Sequence, residues 1–77
     1  LNHMAKLITH DYRRMARDDA FAPYDLKATI PDQAASAELS RQAIRDKNTA
    51  VKSSIDAANT EAELMDIINN LTKFGDI

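Results

Sequence analysis

Residues 57 to 64, Ala-Ala-Asn-Thr-Glu-Ala-Glu-Leu, constrain this chain more than any other stretch, because one helix must end and another begin inside them. Thr60 and Glu63 have the spacing of a capping box, in which a hydroxyl and a carboxylate satisfy amides that a first helical turn leaves free. Leu64, Ile67, Ile68, Leu71 and Phe74 follow at helical spacing with Met65 beside them, and Gly75 stands where a helix usually stops. This pattern predicts a helix over about 60 to 74. Asn59 and Thr60 leave a two-residue connection to the segment before it, so the two helices are expected to form an antiparallel hairpin.

The segment before the hairpin turn opens with Pro31-Asp32, a helix start signal. Small or aliphatic pairs then recur every seven positions: Ser36-Ala37, Ala43-Ile44, Ala50-Val51 and Ala57-Ala58, with Ile55 four beyond Val51. A long helix over about 31 to 58 is expected. The positions a coiled coil would also fill hold Ser40, Lys47 and Ser54, so close packing of one neighbouring helix is favoured over a zipper. Asn48 and Thr49 are poor mid-helix residues and mark the expected place for a bend.

A first helix is expected over about 9 to 19, with Thr9 as N-cap and Asp11 in its first turn. Ile8, Tyr12, Met15 and Ala16 form an apolar stripe, whereas His10, Arg13, Arg14 and Arg17 form a cationic one. Residues 20 to 30 hold Phe21, Pro23, Tyr24, Leu26 and Ile30. Each proline disfavours an α conformation at the residue before it, so this stretch reads as a loop. It either folds back over the core or presents Phe21, Tyr24 and Leu26 to a partner.

The expected fold is all-α: a small three-helix domain over 4 to 77 with a C-terminal hairpin. Leu1-Asn2-His3 ahead of Met4 reads as a cloning remnant. The expected core is Ile8, Tyr12, Met15, Leu26, Ile30, Leu39, Ile44, Val51, Ile55, Leu64, Ile67, Ile68, Leu71 and Phe74.

At 77 residues there is room for one small domain. The absence of cysteine excludes disulfides and thiolate metal sites. No apolar run approaches the roughly 18 to 20 residues of a membrane-spanning helix, so a cytoplasmic protein is expected. One histidine beyond His3, scattered serines and a single glycine at the C-terminal end offer no catalytic constellation and no phosphate cradle. A non-enzyme without metal or cofactor is the expectation.

The formal net charge of -2 lacks the basic excess of a dedicated nucleic-acid binder. The charges are unevenly placed: residues 59 to 77 hold Lys73 against Glu61, Glu63, Asp66 and Asp76. Such polarity suits a protein partner, because it orients the encounter. The candidate partner surface is His10, Arg13, Arg14 and Arg17 together with Tyr24, and the competing reading of the cationic stripe is a solvated helical face.

The run Met4-Ala5-Lys6-Leu7-Ile8-Thr9-His10-Asp11-Tyr12-Arg13-Arg14-Met15 resembles the start of the small transcription regulators of Xanthomonas phage. That resemblance implies a monomeric regulator that binds host RNA polymerase at the amino-terminal part of its β′ subunit, inhibits initiation and alters termination in the host cytoplasm. A second similarity covers Arg45 to Leu71, where Ile55-Asp56-Ala57-Ala58-Asn59-Thr60 and Glu63-Leu64 look like the C-terminal hairpin of phage tail-fibre assembly proteins. It implies the alternative function, virion or tail-fibre assembly through the hairpin.

Overall fold

A computed structural model describes residues 3–71, which form three α-helices and, among the described residues, no strand. They are α1 (His3–Lys27), α2 (Ala34–Ala57) and α3 (Glu61–Asn70). The all-α fold follows from the helical periodicity of every long segment.

The greatest departure from expectation is the length of α1. It runs on through residues 20 to 27, and Pro23 lies inside it, where a loop was expected. Proline removes one ladder hydrogen bond and crowds the preceding turn. Burial offsets that cost: Ala20 is buried beside Ile44 and Leu71, with Ala16, Phe21 and Tyr24 packed against them. Ala16, Ala20 and Tyr24 lie four apart, so only a continuing helix brings all three to one face. A loop would lose that alignment.

The chain then turns through residues 28 to 33, where the amides of Thr29, Ile30 and Gln33 donate to the carbonyls of Leu26, Lys27 and Ile30. The second helix accordingly starts at Ala34 and not at Pro31. It continues through Asn48 and Thr49, the expected bend. In each of its seven-residue pairs the second member faces inward: Ala37, Ile44 and Ala58 are buried and Val51 is half-buried. Ser36, Ala50 and Ala57 are exposed.

The start of α3 forms largely as its sequence indicates. Thr60 Oγ1 accepts from the Glu63 amide at 3.2 Å. The Glu63 carboxylate accepts from the Asn59 amide at 2.7 Å, one residue before the cap. Ile55, Ala58 and Leu64 make one buried cluster, while Leu71 joins Ile44 in the other. Progress along α3 therefore tracks back along α2, an order consistent with the expected hairpin. The expected core position Phe74, and Gly75 with it, lie outside the described residues.

Helix α1 runs antiparallel to α2, since Lys6 and His10 meet Asp56, Arg13 meets Asn48, and Asp25 meets Arg41. Arg41 Nε comes within 3.0 Å of Asp25 Oδ1 but is not aligned for a hydrogen bond, so this last pairing is an ionic approach. The result is a rod of 47 × 16 × 15 Å. Among the described residues seven apolar side chains are buried, three of them alanine. Of the expected core, Ile44, Ile55, Leu64 and Leu71 are buried, and Val51, Ile67 and Ile68 are half-buried. Ile8, Tyr12, Met15, Leu26, Ile30 and Leu39 are exposed, Leu39 to 75%.

Candidate functional site

The two stripes of α1 have in part exchanged the places that their polarity suggests, Ala16 and Arg14 excepted. Thr9, His10 and Arg13 are buried against the other helices, while Ile8, Tyr12 and Met15 face solvent. The inward polar face is accommodated because α2 supplies partners for His10 and Arg13, while Thr9 bonds back to its own helix.

Arg13 Nη1 donates to Asn48 Oδ1 at 2.5 Å, and Arg13 Nε donates to His10 Nδ1 at 3.2 Å. Because Nε always carries its hydrogen, Nδ1 must be the accepting nitrogen of the ring. The proton of the neutral imidazole is then on Nε2, which donates to Asp56 Oδ1 at 2.8 Å. Lys6 Nζ donates to the Asp56 carbonyl at 2.8 Å, and Thr9 Oγ1 returns its hydrogen bond to the Ala5 carbonyl. Four side chains, Asn48, Arg13, His10 and Asp56, thus form one chain of hydrogen bonds across the α1–α2 seam.

Electrostatics follow from this geometry. Burial holds the Arg13 pKa below the ordinary guanidinium value, Arg14 and Arg17 add to the effect, and Asp56 opposes it. The hydrogen bond from His10 is the main cause of a lowered Asp56 pKa; desolvation opposes it, and the nearby charges of Lys52 and Lys6 add to the lowering. Both nitrogens of His10 are engaged, so the ring has no lone pair free to take a proton from a substrate. The arrangement is structural in character.

The remaining residues of the candidate surface are scattered. Arg14 is exposed and pairs with Asp11 at 2.7 Å, while Arg17 is half-buried and pairs with Asp18 at 3.0 Å. Tyr24 is half-buried in the core cluster, with the Lys27 ammonium 5.5 Å from its ring centroid. The structure therefore does not gather His10, Arg13, Arg14, Arg17 and Tyr24 into one exposed patch, because two face α2 and one packs into the core. Asn48 and Asp56 are the residues that sequence reasoning missed. Asn48 gave a signal, an asparagine in a helix interior, which reads equally as a bend or as a polar contact to another helix.

The exposed counterpart is apolar. Met4, Ile8, Tyr12 and Met15 recur at three- and four-residue steps along the outer side of α1, Met15 being 62% exposed. This stripe borders a groove of about 220 Å³ between α1 and α3, lined by Ala5, Ile8, Thr9, Glu61, Leu64, Met65 and Ile68. Its chemistry is that of a surface for apolar side chains, with Met4, Met15 and Met65 able to adjust to the shape of a partner. Among the described residues no group of three or more histidines and carboxylates is placed to hold a metal, and no helix is long and apolar enough to cross a membrane. Comparison of the chain with protein-family models, curated proteins and solved structures finds no match.

Proposed function

We propose that this chain is a non-enzymatic phage regulator that binds host RNA polymerase in the host cytoplasm, inhibits initiation and alters termination. The observation that carries a protein-binding role is the outward apolar stripe of α1, Met4, Ile8, Tyr12 and Met15. An amphipathic helix that turns this face to water leaves hydrophobic area for a partner to cover. The run from Met4 to Met15, on which the resemblance to phage transcription regulators rests, contains the whole stripe. Of the cationic stripe only Arg14 and part of Arg17 remain exposed, each paired with an aspartate of its own helix.

The test is retention of purified bacterial core polymerase on the immobilised chain at moderate salt, together with promoter-directed transcription. Retention and inhibition are expected for the unaltered chain, and both are expected to fall at least tenfold in Ile8→Gln/Met15→Gln, whose helical circular dichroism stays unchanged. No retention of polymerase by the unaltered chain would overturn the reading.

The exposure of Ala50 and Ala57 on α2 favours the second reading, assembly through the hairpin, since small residues open to solvent admit the close approach of another helix. Self-association abolished by Ala50→Leu/Ala57→Leu would support it.

A further inference from the structure

Exposed carboxylates edge the apolar stripe of α1. Asp11 and Asp18, whose side chains are 73% and 69% exposed, lie along one side of it, and Asp19 interrupts the stripe between Met15 and Leu26. Glu61 lies across the groove, where it lines the wall opposite Ile8. Two ion pairs lie within this edge, Arg14 with Asp11 and Arg17 with Asp18 through Oδ1, while Lys6 and Arg13 turn to α2; among the described residues no ion pair joins Asp19 or Glu61, so two of the four carboxylates are uncompensated. The face thus joins adaptable methionines to a rim that is acidic in sum.

We infer that the α1–α3 face docks a basic amphipathic helix of the partner, whose apolar side lies along Met4, Ile8, Met15 and Met65 and whose Lys or Arg residues meet Asp18, Asp19 and Glu61. The inference rests on the protein-binding reading above and names the chemistry of the bound element. A helix is the fitting occupant because the stripe repeats at helical spacing and meets a groove between two helices. A second copy of this face fits poorly, because each copy brings the same carboxylates against the other.

The probe is a labelled leucine/lysine peptide of about five helical turns, titrated into the full chain beside a leucine/glutamate peptide of the same pattern. The basic peptide is expected to bind at least tenfold more tightly, with methyl resonances of Met4, Met15 and Met65 shifted. Asp18→Asn/Asp19→Asn/Glu61→Gln is expected to remove most of that preference, and Ile8→Gln/Met15→Gln to weaken both peptides. Equal binding of the two peptides, a preference that survives the triple substitution, or a dimer dissolved by Ile8→Gln/Met15→Gln would overturn the inference. Polymerase capture separates the two readings: capture unaffected by the triple substitution sinks the docking inference alone, whereas failed capture beside a carboxylate-dependent peptide preference sinks the polymerase reading alone.

Discussion

Arg13 shows at the scale of one residue how a charge is tolerated inside so small a protein. Its guanidinium is desolvated, yet Asn48 and His10 each accept one of its hydrogens, and Asp56 lies beyond the ring. Removing Arg13 leaves His10 Nδ1 buried, and Asn48 Oδ1 half-buried, without that donor, which costs more than the net worth of the bonds themselves. Arg13→Ala is expected to lower stability by about 2 kcal/mol in urea denaturation. Asp56 sets the acid response. Its pKa is lowered in the folded chain, so its contribution is present above the ordinary aspartate value of about 4 and is lost as pH falls through the still lower folded value. Glu38 behaves alike, lowered first by its hydrogen bond from Arg45. Thermal melts should therefore show stability falling below about pH 4, with a shallower fall in Asp56→Asn.

Single helices differ in how far their own residues define them. The start of α3 was legible because its signal is local: Thr60 and Glu63 satisfy amides within four residues of themselves. Thr60→Ala is expected to cost about 1 kcal/mol by the same denaturation. The seven-residue seam of α2 was legible too, although the helix begins at Ala34 and not at Pro31 and runs through Asn48 and Thr49 where a bend was expected. The extent of α1 was not, because Pro23 and the aromatic residues around it carry the local marks of a loop, while the reason for helix, contact of Ala20 and Tyr24 with Ile44 and Leu71, lies tens of residues away. Since the proline is tolerated and not required, Pro23→Ala is expected to raise the melting temperature, by the equivalent of about 1 kcal/mol or more. The orientation of α1 was illegible for a related reason. Periodicity separates two faces, but which one turns inward depended on Asn48 and Asp56 waiting on another helix.

For the whole molecule the deciding quantity is the meagre interior. Among the described residues Ile44 and Ile55 are the two large apolar side chains with no exposure at all, one in each buried cluster. A domain of this size holds only a few kcal/mol of stability, and truncating a buried isoleucine to alanine removes about 2 to 5 kcal/mol. Ile44→Ala and Ile55→Ala are each expected to leave a chain largely unfolded at room temperature, seen as lost ellipticity that saturating partner restores in part. The candidate site was the least legible feature at this scale. Its cationic stripe was found by spacing, but His10 and Arg13 were assigned outward when they face α2, and the apolar stripe that does face solvent was assigned to the core.

The hydrogen-bonded row from Asn48 to Asp56 also decides how α1 and α2 slide on one another. Alanines make a smooth contact that tolerates displacement by a helical turn. A shift of that size would carry Arg13 away from Asn48 and His10 away from Asp56 together, stranding two polar groups at once. The polar row acts as a key in a slot: it fixes the axial position of the first helix, and with it the height at which Ile8 and Met15 are held beside the third.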